Sequence, residues 1–291
     1  MRRLLVFCLA LLLALPAWAL PARAGELKIA TWNIAWLTTR PAGDPALARG
    51  VRPKSAEDLA ALRRYAQQLN ADVVALQEVD GPDVASRVFP PETYALHFTA
   101  DRVAQRAGFA IRRTIPFTAN PDLVELVLDP HARLPLRSGA DVTLRVGGNL
   151  LRMLSVHLKS GCRQEPLARA DRPQCDALRA QLAAMQGWIA QRRRELAPFV
   201  ILGDFNRRMD GRDQFLSGLM QAAPLERATE GRSNPCWGGG PFIDHILAGG
   251  AARGWMQAET LRVLVYREQG AEWKERLSDH CPVSVRFRLP G

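Results

Sequence analysis

Phe199-Val200-Ile201-Leu202-Gly203-Asp204-Phe205-Asn206, FVILGDFN, is the stretch on which the reading of this chain turns. Four apolar residues run unbroken into Gly203, and Asp204 and Asn206 flank Phe205. A short apolar run closed by glycine reads as a buried strand that delivers polar groups at its end. Strand alternation points Asp204 and Asn206 to one face and Phe205 into packing. A carboxylate and an amide about 7 Å apart on one face suit a site for a cation or a phosphate. The plainer reading is a core strand ending in a polar turn, and the rest of the sequence decides between the two.

Working outward, ELKIATWN (26–33) alternates and ends at Asn33 as a first strand. A Pro- and Gly-rich loop follows, and Ser55 with Asp58 three residues on is a capping-box pattern that opens a helix. Leu59, Leu62, Tyr65, Ala66 and Leu69 supply its apolar face. DVVALQEV (72–79) then reads as a buried strand with Glu78 near its end. Strand, helix, strand in so short a span is α/β architecture. YALHFT, GFAIRR and DLVELVLD (122–129) are strand-like, and Gly147-Gly148-Asn149 joins two runs in a hairpin whose second arm ends in SVHLKSG. So many short strands exclude a doubly wound parallel fold and point to antiparallel sheet. Helical spacing of Leu178, Leu182, Met185 and Ile189 predicts a helix over 176–196, with Arg192 to Arg194 as a solvated helix end. A short helix over 214–221, a strand at FIDHIL, a strand-like run over 260–266 and an alternating run after SDHCPV complete the chain. No repeat, linker or composition break divides it, so one domain is expected over residues 25–291.

Residues 1–24 read as a signal peptide: Arg2 and Arg3, an apolar run from Leu4 to Leu15 too short to span a bilayer comfortably, then small residues. Cleavage after Ala24 is favoured over cleavage after Ala19. The expected location is therefore secreted or periplasmic, without stable membrane insertion and as a monomer. The formal charge of +10 falls to +7 when the three leader arginines leave. Positive charge on an exported protein favours polyanions. Lysine is scarce, however, and the arginine-rich, alanine-rich composition fits a GC-rich genome equally well. Cys162, Cys175, Cys236 and Cys281 remain, an even number in a disulfide-permissive compartment. Of the three pairings available, Cys162–Cys175 is the most local, and Cys236–Cys281 would follow. No spacing suits zinc.

Each polar element sits at the exit of a buried strand: Asn33, Glu78, His157, Asp204 with Asn206, Asp244, and Asp279 with His280. Strand ends are where such folds build sites. TWNI (31–34), LQEV (76–79), SVHLKS (155–160), GDFN (203–206), IDHI (243–246) and SDHCPV (278–283) stand in family order. With them the chain resembles the endonuclease/exonuclease/phosphatase superfamily. The resemblance implies a four-layer α/β sandwich, two packed and mainly antiparallel sheets flanked by helices. It also implies divalent-metal-dependent cleavage of a phosphate ester. Glu78 is a hard oxygen ligand suited to Mg2+, with Mn2+ or Ca2+ as alternatives, and Asn33 and Asp279 would complete or orient that sphere. His280 is the candidate base or phosphate stabiliser with its tautomer fixed by Asp244, and His157 the candidate acid or second stabiliser. Asp204 would orient or deprotonate the attacking water, and Asn206 would donate to the phosphate.

Lys159 shares a face with His157 and is a candidate phosphate contact. His97, His131 and His245 are read as structural, and Asp101 and Arg102 carry no sharp motif. The leading functional reading is a secreted metal-dependent phosphodiesterase acting on nucleic acid, DNA or RNA. Its enzymatic alternative is a phosphatase or sphingomyelinase-type phospholipid hydrolase, with an anionic phosphate ester as substrate. A catalytically inactive binding protein on the same fold is the third. Lys159, Arg163, Arg207, Arg208 and Arg212 near site motifs, against Trp237 as the one exposed aromatic candidate, favour nucleic acid over a bilayer.

Overall fold

The computed structural model describes residues 25–291 apart from Ala170. The signal peptide expected over residues 1–24 lies outside the described residues.

Strands β1 (Glu26–Leu37), β2 (Val73–Val79), β3 (Tyr94–Phe98) and β4 (Arg106–Arg112) build the first sheet with two strands from the end of the chain. Between them come β5 (Phe117–Ala119), β6 (Ala140–Val146), β7 (Asn149–His157), β8 (Phe199–Asp204), β9 (Leu225–Arg227) and β10 (Asp244–Gly249), which form the second sheet. The closing strands β11 (Met256–Val263) and β12 (Val283–Arg288) return to the first. The sheet orders are β11-β12-β1-β2-β4-β3 and β5-β6-β7-β8-β10-β9. All neighbours pair antiparallel except β1 with β2 and β7 with β8. Each sheet therefore carries one parallel pair at its centre, and these four strands end where the polar motifs lie.

Alternation sorts the side chains into three cores. Ile29, Val73, Phe109, Met153, Val200 and Ile246 meet between the sheets. Trp32, Val74, Leu76 and Ala110 face the helices α1 (Ala56–Leu69) and α2 (Pro82–Val88). Leu154, Phe199, Ile201 and Phe205 face α3 (Pro173–Arg194) and α4 (Gln214–Ala222). The result is helix, sheet, sheet, helix, as the resemblance implied. The Ser55–Asp58 capping box forms as expected, and Gly147-Gly148 make a two-residue turn with both φ angles positive, which matches the twist of a hairpin. No described helix is long and apolar enough to cross a membrane.

Several expectations need correction. DLVELVLD is not a strand: Val124–Leu126 form a single 3-10 turn. Leu123 and Leu126 are both buried against the second sheet's helix layer, so two anchoring side chains three residues apart, not an alternating face, set its apolar character. Strand β1 runs on past Asn33 to Leu37. Arg192 is no solvated helix end; it is buried, holds Glu195 at 2.8 Å and lies over Trp188. Both expected disulfides, Cys162–Cys175 and Cys236–Cys281, are present.

Candidate active site

The inter-sheet face is apolar through most of its length and turns polar at one end. There Thr31 Oγ1 donates to Gln77 Oε1 at 3.1 Å, and Gln77 Nε2 donates to Ser155 Oγ at 3.1 Å. This buried bridge between the sheets satisfies its own polar groups. One step beyond it the same alternation presents Asn33, His157, Asp204 and Asp244 to the gap. Glu78 breaks the pattern. Parity would send it outward with Leu76, but its backbone takes a left-handed φ of 60° and the pairing register shifts there. That turn brings its carboxylate to Asn33, whose Nδ2 donates to Glu78 Oε1 at 3.1 Å.

Asp204 is the hub. Its Oδ2 accepts from Asn33 Nδ2 at 3.0 Å and Asn206 Nδ2 at 3.2 Å, and its Oδ1 accepts from the Asn206 amide at 2.7 Å. His157 Nε2 and His280 Nε2 stand 3.6 and 3.7 Å from the same Oδ2. Asn206 comes this close because it leaves the strand at a φ of 52°, where continued strand geometry would hold it about 7 Å away. Phe205 packs against Phe215, as expected. Both asparagines hold carboxylates here: Asn33 Oδ1 accepts from the Ala35 amide, and Asn206 Nδ2 also donates to Leu158 O.

His280 Nδ1 meets Asp244 Oδ2 at 2.8 Å. Burial pulls this imidazole down, but the Asp244 and Asp204 carboxylates outweigh it and hold the ring well above its usual range. Ser278 fastens the loop, accepting from His280 N at 3.0 Å and donating to Asn33 O at 2.7 Å. Burial raises the Asp204 carboxyl to about 7, against the pull of His280. His157 moves the other way, well below its usual value, through burial and the neighbouring Arg137.

Arg137 is the residue that sequence reasoning missed. It is buried, and its Nη2 lies 3.0 Å from His157 Nε2. Arginine only donates, so Nε2 accepts and the neutral ring carries its proton on Nδ1. Asp101, set aside at the sequence level, clamps the same segment: it accepts from Ser138 N and Ser138 Oγ, both at 2.8 Å. Arg137 Nε, His157 Nδ1 and Asp244 Oδ1 are buried without a protein partner. Unpaired buried polar atoms each destabilise by about 1–3 kcal/mol, and three in one place mark a site shaped for a ligand.

The remaining candidates scatter. Asp279 stands at the mouth, its side chain 60% exposed and 3.9 Å from His280 Nε2. Lys159 follows β7 with its amide on Gln181 Oε1; among the described residues no hydrogen bond joins its ammonium to the cluster. Arg207 is buried on Asp213 and the carbonyls of Cys162 and Glu165, so it shapes the loop and cannot meet a substrate. Trp237 tilts against Tyr266 and donates to Ser278 O, which makes it a support of the His280 loop and not an exposed aromatic. His245 points away from Asp244, as expected, onto Thr229 and Arg207 O.

The model of the endonuclease/exonuclease/phosphatase family matches residues 30–280, a span that takes in every residue of the cluster. The chain belongs to this family. Solved structures with the same fold include D. rerio TDP2 in complex with a single-strand DNA product, at 15% identity, TM-score 0.60, and coverage of 90% of this chain and 99% of that one. The human Nocturnin catalytic domain with bound sulfate shares 18% identity at a TM-score of 0.58, covering 91% and 95%. The 3'-5' exonuclease NExo of Neisseria meningitidis shares 18% at 0.56, covering 90% and 100%. Comparison with curated protein sequences gives no match.

Endonuclease/exonuclease/phosphatase enzymes are metal-dependent, and the donors here fit a hard divalent cation. Glu78 keeps its carboxylate 15% exposed at the gap, with Asn33 against it; Asp204, Asp244 and His280, whose atoms lie within 4.8 Å of one another, add a second group of donors, of which the carboxylates are the hard ones. Oxygen donors that leave room for water suit Mg2+. A second close group, Cys162 with Glu165 and Cys175, holds a disulfide and offers no thiolate. The chain is thus a metal-dependent hydrolase of phosphoric esters.

Proposed function

We propose that this enzyme is an exported, Mg2+-dependent nuclease that cleaves phosphodiester bonds of DNA or RNA, with residues 25–291 as one catalytic unit. One observation carries the reading: a buried arginine on His157, a histidine held on Asp244 and the Asp204 carboxylate bound by two asparagine amides face the same gap. Glu78, with Asp279 at the mouth, would hold the metal, which supplies charge neutralisation at a phosphate oxygen. Arg137 and His280 would place positive charge beside the phosphoryl oxygens, where negative charge develops in the transition state. Asp204 takes the proton of the attacking water, its base form held by Asn33 and Asn206, and the departing ester oxygen leaves as an alcohol protonated from solvent. His157, neutral and accepting from Arg137, keeps the guanidinium in place and serves as a second stabiliser.

Relatives and the exposed arginines near the gap support a nucleic-acid substrate. One relative is solved with a single-strand DNA product and another is described as a 3'-5' exonuclease. Two formed disulfides support an oxidising compartment. The deciding experiment is a panel of single-stranded DNA, duplex DNA, RNA, p-nitrophenyl phosphate and sphingomyelin liposomes, each with Mg2+ and with EDTA. Metal-dependent cleavage of a nucleic acid is expected. Turnover of liposomes or the monoester with no nucleic acid cleaved would transfer the chain to the phospholipase or phosphatase reading.

A further inference from the structure

Trp36 has no structural employment that explains it. Trp32 donates its indole N–H to Tyr266, Trp188 to Asp141 and Trp237 to Ser278 O. Among the described residues the Trp36 indole has no hydrogen bond, no ring partner and no place in the apolar cores. It is half-buried at the end of β1, where Ala35 and Trp36 both take left-handed φ angles of 39° and 55°. Two successive non-glycine residues in that region store strain, of order 1 kcal/mol or more each. The conformation is held from the active site itself, because the Trp36 amide donates to Glu78 Oε2 at 3.1 Å and the Ala35 amide to Asn33 Oδ1 at 2.9 Å. The ring is thereby fixed relative to the catalytic carboxylate.

Two cavities share Trp36 as a wall. One, of about 270 Å³, is completed by Gln105, Leu134 and Pro135, with Arg102 and Arg133 at its edge. The other, of about 530 Å³, contains Asp279 of the site mouth together with Arg49 and Lys274. Arg49, Arg102 and Arg133 are exposed, and none is in an ion pair or hydrogen bond among the described residues. The smaller cavity also adjoins the catalytic gap through the chain, since Asp101 beside Arg102 clamps the segment that carries Arg137. A flat aromatic wall, apolar sides, one amide and free guanidiniums at the rim are the parts that hold an unstacked base and its neighbouring phosphates. A membrane-facing surface would instead spread its apolar side chains over a broad exposed patch rather than line a cavity of this size.

We infer that Trp36 is the stacking wall of a nucleobase subsite, with Arg102 and Arg133 receiving a flanking phosphate and Gln105 meeting the base edge. The enzyme therefore takes its substrate as an unpaired nucleotide, in a single strand or a frayed end, one step from the scissile phosphate. This rests on the nuclease reading above and narrows it. A base inside a duplex cannot reach the ring without leaving its stack.

The test compares kcat/KM of native enzyme, Trp36→Ala and Trp36→Phe on a single-stranded hexanucleotide and on methyl p-nitrophenyl phosphate, a diester with no base. In Trp36→Ala the ratio of the two values should fall about fivefold or more, carried by KM, and Trp36→Phe should recover most of it. Hexanucleotides with one abasic position at a time give the independent arm. At one position base removal should weaken the native enzyme by a similar factor and Trp36→Ala hardly at all. Equal loss on both substrates would make Trp36 a structural support of Glu78 and overturn the subsite, as would an unchanged ratio. Loss confined to sphingomyelin vesicles would overturn it in favour of a bilayer contact. A native enzyme that cleaves the small diester but no nucleic acid would overturn the nuclease reading and the subsite together, whereas native cleavage with an unaffected Trp36→Ala overturns the subsite alone.

Discussion

Asp204 Oδ2 touches two amides and lies within 3.7 Å of two histidines, so one oxygen ties the candidate site together. Because burial raises this carboxyl to about 7, it can accept a proton at neutral pH and release it again. Asp204→Asn should lower kcat by about 10²–10⁴-fold, the usual contribution of a positioned base, with circular dichroism unchanged; a rate within threefold of native would remove Asp204 from the proton transfer. Arg137 makes a sharper claim because nothing local in the sequence announces it. Its segment, LRSGAD, has no strand-end signal, and its role emerges only when a residue twenty positions away meets it across the sheet. Arg137→Lys keeps the charge but not the planar fork, so the activity lost in Arg137→Ala should return only in part. Full activity in either variant would remove the arginine from the phosphate site. Trp36 and Arg137 share the reason they were not legible: each acts through a contact that spacing along the chain does not encode.

The elements were far more legible than these contacts. FVILGDFN, ELKIATWN and DVVALQEV became strands because each carries a compact apolar run, and their polar ends became the site because alternation fixes which face they share. Where alternation fails, at Glu78 and Asn206, the cause is a left-handed residue that composition does not reveal. DLVELVLD misled for the opposite reason, since its apolar residues are satisfied by a single bridge from Leu123 to Gly139 and a 3-10 turn that together bury Leu123 and Leu126. Gly203 shows how tightly the central element is set. Its φ is 147°, and a β-carbon added there would stand 1.9 Å from Val156 O in the parallel partner strand. Gly203→Ala should therefore force β7 and β8 apart at the site and destabilise by about 3 kcal/mol or more. Urea denaturation that moves the midpoint by a trivial amount would contradict that packing. The start of α1 was readable as well: Ser55 and Asp58 cap it reciprocally, as the spacing alone implies.

At the scale of the whole molecule, two sheets with matching strand arrangements close on a buried polar end, and groups deep in that construction tie stability to pH. His245 is fully enclosed beside Thr229, and burial lowers its pKa from 6.5 to about 3. Below pH 6.5 the unfolded chain binds a proton that the native ring refuses, so stability is lost as pH falls through that window. At pH 5 the His245 share is about 2 kcal/mol. Urea unfolding at pH 7 and pH 5 should show a smaller drop for His245→Gln than for native protein; equal drops would place the acid sensitivity elsewhere. Net charge and the free arginines at the site mouth lead to a second whole-molecule expectation. Binding of single-stranded DNA by the inactive Asp204→Asn variant should weaken tenfold or more between about 50 and 200 mM salt through counterion release; salt-insensitive binding would remove the polyanion from the account. The claim beneath all of these is metal-dependent phosphodiester cleavage at the carboxylate cluster, with Glu78 as the anionic ligand. Its most direct test is cleavage of an end-labelled single-stranded oligonucleotide after EDTA treatment and again as Mg2+ is restored in steps, for native enzyme and Glu78→Gln. Cleavage should be absent in EDTA, return fully for the native enzyme, and return little for a folded Glu78→Gln even at high Mg2+; cleavage that persists in EDTA, or a variant with the native Mg2+ dependence, would rule out Glu78 as the ligand of an essential metal.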